Sequence, residues 1–372
     1  MSAIHIGLSF HDRPMNLALH ANGITQNVVF LYQLMESLGH HPFIVKGTAP
    51  ENGYLEIRGE KYRCYAFQEL IDKRIKMDIF LEGSVVTPQK TRYALRKLLG
   101  TRIVTVQYGH AMIHDMERLF YTSEAKDPVR LRYPDIVWAS PHFESSFSYL
   151  EMLYSAEIRS CPFIWEPDFV SKPFTKADYQ EKPNLQVMEP NISLMKNLMI
   201  PVAIAEKICR KNPDLFNQML VNNSSRIGKS PYFKANILPN FPWLDGHNQK
   251  ILFGGRRTFD NTLKKRDVLV THQWGCELNY VYLEALHKNV PLVHNSPRFK
   301  EVGYYYEGFD VNAGARACEK AIADKKISDY QKKSRSFVKR FSIRNPLVQK
   351  TYKALVEEVM SLEPNLKLQP RA

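Results

Sequence analysis

Short apolar runs bounded by turn residues recur along this chain: IHIGLSF (4–10), HPFIVKG (41–47), MDIFLEG (77–83), RIVTVQYG (102–109) and DIVWAS (135–140). Between several of them lie amphipathic stretches of helical length, QNVVFLYQLMESLGH (26–40) and TPQKTRYALRKLLG (87–100), each carrying a Gly where a helix C-terminus is expected. That alternation is a βαβ rhythm and predicts a mostly parallel sheet wrapped by helices. From about residue 184 the rhythm restarts with LQVMEP, a helix at IPVAIAEKICRKNP, then FNQMLVNN, KILFGG, DVLVTHQW, a helix at LNYVYLEALHKN, and VPLVHNS. The stretch between the two series, 161–184, holds four Pro and several charges without clear periodicity, so it reads as the crossover between two α/β domains. The expected organisation is a first domain over 1–165, a second over 166–344, and a last amphipathic helix, 345–362 within a 345–372 tail, crossing back to the first. In tandem α/β domains of this kind, ligands are expected beyond the carboxyl ends of the strands, in a cleft.

With 372 residues, 44% hydrophobic and 24% charged, each half has apolar surface enough for a core, and wholesale disorder is excluded. Apolar runs such as Ile103 to Val106 are far shorter than the roughly 20 residues of a membrane span. The N-terminus has no basic region ahead of a long apolar stretch, so a cytoplasmic protein is expected, in the host cytoplasm if phage-encoded. Five scattered Cys without a Cys-x-x-Cys pair argue against disulfides and a zinc site and predict buried thiols. Twelve His lack metal spacing, so no obligatory, tightly bound metal is expected. The formal charge of +13 favours a polyanionic partner, and it is clustered. Residues 325–353 hold ten Lys or Arg against one Asp, and residues 88–102 hold five with no acid.

Three loops carry candidate binding chemistry. HANGITQNVVFL (20–31) opens a helix after the first strand, where Gly23 permits close backbone approach and the first-turn amides attract anions, though no Gly-x-Gly-x-x-Gly is present. In MEPNISLMKN (188–197) a turn at Asn191 follows a strand and Lys196 offers a point charge to a diphosphate. VLVTHQWGCELNYVYLEALHKNVPLVHNS (268–296) is the most specific stretch. His272, Gln273 and Trp274 end a strand, Asn279 and Tyr280 start a helix, Glu284 follows as a carboxylate able to accept both ribose hydroxyls, and Asn295 with Ser296 end the next strand. Those are the parts of a nucleotide-sugar site. Arg256, after a strand, is a further candidate for the donor diphosphate. The Gly-Lys-Ser in RIGKSPYF (226–233) is not a phosphate loop, because Asn223 stands where such a loop needs Gly. For the reaction itself, Glu82 ends one strand, and the loop QYGHAMIHDM (107–116) carries His114 and Asp115 past the end of another.

The segment LNYVYLEALHKNVPLVHNS resembles the donor-binding half of GT-B glycosyltransferases, with Glu284 at the ribose-binding Glu, Ala285 and Pro291 at its neighbours, and Asn279 and Tyr280 at the diphosphate-contacting turn. The first acidic position of that motif falls at Cys276, and a usual Gly at Asn279. NGITQNVVFL, PFIWEPDF, EPNISLMK, THQW with LNYVYLEAL, and PLVHNSPRFKEVGYYY resemble, in this order, a bacterial and phage family of unknown function considered GT-B-like. The resemblance implies a GT-B fold of two Rossmann-like domains, an acceptor-binding N-terminal and a nucleotide-sugar-binding C-terminal one. It also implies transfer of a sugar from a nucleoside-diphosphate sugar, with a UDP-sugar as the expected co-substrate. The basic clusters are what a duplex-binding surface needs, so the expected acceptor is a hydroxymethylated pyrimidine in double-stranded DNA, as for phage-type DNA glycosyltransferases, with the protein acting as a monomer. A cell-surface polysaccharide or lipid-linked glycan remains the alternative acceptor, and a non-catalytic nucleotide-sugar or nucleic-acid binding protein a second reading.

Overall fold

In the computed structural model, residues 2–12, 23–121, 132–174, 182–246, 249–264, 266–324 and 327–367 are described. The chain forms two units, Met1–Glu166 together with Phe341–Ala372, and Pro167–Arg340.

Among the described residues the first unit is built on eight strands: β1 (His5–Ser9), β2 (His41–Lys46), β3 (Tyr54–Ile57), β4 (Glu60–Ala66), β5 (Ile79–Glu82), β6 (Arg102–Gln107), β7 (Ile136–Ala139) and β8 (Ile158–Ser160). Their order is β3-β4-β2-β1-β5-β6-β7-β8, parallel throughout except where β3 pairs antiparallel with β4. Ile6, Ile79, Ile103 and Ile136 are at most 1% exposed, which is why these runs are apolar without alternation. Gly7 is dictated by packing: a Cβ there would stand 2.3 Å from Met77 Sδ and 2.9 Å from Val45 Cγ2. The helix Gln89–Leu99 ends where Gly100 adopts φ +67°, a left-handed conformation that a side chain would oppose, and its N–H caps Arg96 O. The helix Pro346–Ser361 belongs to this unit. Tyr352 packs edge-on to Trp138 and donates to Pro162 O at 2.9 Å, while Arg159 Nε donates to Glu358 at 2.8 Å.

Among the described residues the second unit has six parallel strands: β9 (Leu185–Val187), β10 (Met219–Val221), β11 (Ile251–Phe253), β12 (Val268–Val270), β13 (Leu292–His294) and β14 (Tyr304–Tyr305), ordered β11-β10-β9-β12-β13-β14. The helices Met199–Lys211 and Val311–Ala323 cover one face through Val202, Ile204, Ala205, Ala315 and Cys318. The α/β architecture of two parallel sheets read from the sequence is therefore the fold. The hairpin β3–β4 and the short β8 and β14 add to the expected strands. All five Cys are buried and unpaired, and among the described residues no helix is long and apolar enough to cross a membrane.

Candidate functional sites at the two switch points

In each sheet the chain runs outward from a central strand, then returns to that strand's other side and runs the opposite way. The break lies between β1 and β5 in the first unit and between β9 and β12 in the second. Loops leaving the carboxyl ends of such a pair diverge and open a crevice. Most of the candidate residues sit at these two places.

In the first unit a cavity of about 390 Å³ lies at the ends of β5 and β6, lined by Glu82, Ser84, Thr105, Tyr108, His114 and Arg118 among others. Glu82 is 5% exposed, and its carboxylate accepts Thr87 N–H at 2.9 Å and faces Arg92 Nη2 at 3.6 Å. It is thereby held as an ion pair in the wall. His114 is on the helix Ala111–Tyr121, and its Nδ1 lies 3.3 Å from Glu117 Oε2, one turn along. Asp115 does not join it in the lining: its carboxylate accepts Tyr149 OH at 2.9 Å. Among the described residues the buried Thr105 hydroxyl has no partner, so a ligand hydroxyl or amide entering the cavity would find one there. Gly23 opens the helix Gly23–Ser37 in this same unit; the rest of the expected loop, residues 20–22, lies outside the described residues.

In the second unit the loops after β9 and β12 are tied together by Trp274 N–H donating to Met195 O at 2.8 Å. His272 and Gln273 are buried and Trp274 is half exposed. Asn191 is left-handed at φ +53°, a conformation Asn tolerates, and its Nδ2 donates to Glu189 O and Asn222 O, both at 3.0 Å. Burial works against the Lys196 ammonium, but Cys276 and Glu189 beside it outweigh that and hold its pKa above the ordinary lysine value. A cation kept charged at a switch point suits a phosphate.

Asn279 caps the helix Tyr280–Lys288, its side chain accepting Val281 N–H at 3.2 Å, so Tyr280 is the first helical residue. Glu284 is on the inward side, 7% exposed; burial, with Asp260 adding to it, pushes its carboxyl up to about 8. One turn on, Lys288 pairs with Asp260 at 3.2 Å. Asn295 and Ser296 hold the loops instead of presenting free groups. Asn295 accepts Gln273 N–H at 2.8 Å and donates to Gln273 O and Gly308 O, and Ser296 Oγ donates to Glu277 O at 2.7 Å. Arg256 is exposed after β11.

The sequence reading passed over Glu189. It is 2% exposed at the end of β9, accepts His272 N–H at 3.3 Å, and is pushed up to about 7 by burial, against the pull of Lys196 and that N–H. Its position beside Pro190 made it read as part of a turn; only the strand order reveals it as a switch-point residue. Among the described residues no group of three or more His, Cys, Asp or Glu could hold a metal ion.

The basic segment 88–102 is corrected by the structure. Arg92 and Arg96 point inward, at 3% and 5% exposure, Arg96 pairing with Asp135 at 3.0 Å. Desolvation of a guanidinium is tolerated only with such partners. In residues 327–353, by contrast, Lys332, Lys333, Arg335, Lys339, Arg344, Lys350 and Lys353 are all exposed.

Two units with parallel sheets, each with a switch-point crevice, make the GT-B fold, and solved structures of that fold match along nearly the whole chain. Sucrose-phosphate synthase from Thermosynechococcus elongatus has a TM-score of 0.59 at 14% identity, over 96% of this chain and 99% of that one. The pneumococcal O-GlcNAc transferase GtfA, in complex with UDP and GlcNAc, has 0.57 at 9%, over 97% and 100%. T4 phage BGT, in complex with UDP and Mn2+, has 0.52 at 10%, over 96% and 100%. At these identities the likeness is one of fold. No curated protein matches the sequence. Over residues 6–356 the chain matches, and so belongs to, the family described as Protein of unknown function (DUF2827).

Proposed function

We propose that the protein is a glycosyltransferase that takes a sugar from a nucleoside-diphosphate sugar, with Pro167–Arg340 as the donor unit and Met1–Glu166 as the acceptor unit. The observation that carries this reading is the pairing, in one unit, of a charged lysine at the β9–β12 switch point with a buried carboxylate on the helix that follows β12. Lys196, with Arg256, neutralises the diphosphate, which becomes the leaving group. Glu284 accepts the ribose hydroxyls; Gln273, Trp274, Asn279 and Tyr280 shape the rest of the nucleotide pocket, and His272 lies on its sugar side. UDP is the favoured nucleotide because two of the matching structures hold it.

On the acceptor side, His114 is the base that takes the proton of the incoming hydroxyl. It lines the cavity at β5 and β6 and is oriented by Glu117. Glu82, held by Thr87 N–H and Arg92, forms part of the wall, and Asp115 acts only through the placement of its helix. The acceptor hydroxyl is that of a hydroxymethylated pyrimidine in DNA. Support for this is the exposed basic segment 327–353 alone, since the other cluster is half internal. Incubation with a nucleotide-sugar panel and either unmodified or hydroxymethylated duplex, followed by nucleoside mass measurement, tests it. A sugar adduct on the hydroxymethylated base is expected. Transfer to a glycan or lipid acceptor with none to DNA refutes the acceptor and leaves the donor half standing.

A further inference from the structure

At the β9–β12 switch point three side chains have acceptor capacity that finds no partner among the described residues. Glu189 is 2% exposed and only its Oε1 is engaged, by His272 N–H at 3.3 Å. His272 is also 2% exposed, with Nδ1 at 3.1 Å from Tyr306 OH. The Tyr306 proton is already donated to Thr271 O at 2.8 Å, so the phenol oxygen accepts and His272 carries its proton on Nδ1. Nε2 is therefore a lone pair, and it is buried without a hydrogen bond. Burial pulls the imidazole down to about 4, so it stays neutral. Asn191 spends Nδ2 on two carbonyls, Glu189 O and Asn222 O, and leaves Oδ1 buried and unbonded.

These three groups have one chemistry in common. All three present an unspent acceptor, and of the three only the Glu189 carboxyl, raised to about 7, still has a proton to give, so a phosphate, itself an acceptor, finds at most one donor there. A metal ion is disfavoured by the Lys196 ammonium beside Glu189. What satisfies a carboxylate oxygen, an imidazole lone pair and an amide oxygen together is a ligand bearing several hydroxyls.

We propose that Glu189, His272 and Asn191 form a hydroxyl-recognising subsite that selects the sugar of the donor, next to the lysine that holds its diphosphate. This rests on the nucleotide-sugar reading above. It adds a division of labour: Lys196 binds what every nucleoside diphosphate has, and Glu189 binds what only the nucleotide sugar has.

The test is calorimetric titration of wild type and Glu189→Gln with UDP, UDP-glucose, UDP-galactose and UDP-N-acetylglucosamine. Gln keeps the size and removes the charge. UDP affinity is expected to stay within about twofold, while the tightest UDP-sugar loses about tenfold, the scale of one charged hydrogen bond. Equal losses for UDP and UDP-sugar, or no loss for the sugar in a folded variant, overturn the subsite. Should Glu189→Gln not fold, His272→Phe, which keeps a ring against Phe309 and deletes Nε2, must show the same selective loss. Wild type that binds neither UDP nor any of these UDP-sugars refutes the choice of UDP in the donor reading, a different failure from UDP binding without sugar selectivity.

Discussion

Replacing Glu284 by Gln should change how stability depends on pH, in a window set by the carboxyl's burial. In the fold the group is raised to about 8, from an ordinary 4.5. A raised acid contributes stability that is complete below about 4.5 and is lost as pH rises through about 8, since between those values the folded state binds the extra proton. Each unit of the window is worth about 1.4 kcal/mol. The buried His272 and His294, lowered to about 4, act with opposite sign and only below their ordinary value of 6.5. Between pH 6.5 and 8 Glu284 therefore dominates, with Glu189 contributing up to about 7. Gln cannot ionise, so over this interval Glu284→Gln should gain about 2 kcal/mol relative to wild type, and above it the difference should level off. Urea midpoints of both proteins at half-unit pH steps measure it. A donor diol hydrogen-bonding to the carboxylate favours the ionised form, so donor affinity should rise towards pH 8 in wild type and lose that rise in the variant. A pH-independent difference between the two proteins would mean a solvated, ionised Glu284 and would refute the reasoning.

Asp135→Ala leaves the guanidinium of Arg96 buried and unpaired, and should cost about 3–5 kcal/mol by chemical denaturation; a loss below 1 kcal/mol would mean that water reaches Arg96. Gly7→Ala forces a methyl into Met77 and Val45, with an expected loss of about 1–3 kcal/mol by the same assay. His114→Ala should lower kcat by about 10² to 10⁴ with donor affinity unchanged, whereas Asp115→Asn, which keeps an acceptor for Tyr149, should stay near wild type; the reverse ranking would exchange their roles.

The strands and helices of both sheets were legible because the sheets are parallel and covered, so their strands are plain apolar runs such as IFLE and RIVTV. The hairpin β3–β4 was not, since YLEI alternates buried and exposed positions within a polar stretch. The candidate loops were found by their position after strands, but which side chains they leave free depends on long-range partners. Asn295 looks available until Gln273, 22 residues away, claims it. Arg96 looks like surface charge until Asp135, 39 residues on, draws it inward. Glu189 was missed for the converse reason, since an acid beside a proline carries no sign of burial in the sequence.

The central claim is that the Pro167–Arg340 unit binds a nucleoside-diphosphate sugar through Lys196 and Glu284. Thermal unfolding of the whole chain with UDP, ADP and GDP sugars, in parallel with Lys196→Ala and Glu284→Ala, tests it most directly. The account predicts that at least one nucleotide sugar raises the midpoint in a concentration-dependent way, by about 3 kcal/mol of stabilisation at a hundredfold excess over Kd. It also predicts that both variants, folded, lose most of that rise. No shift with any nucleotide sugar at millimolar concentration, or a shift that survives in both variants, would contradict it.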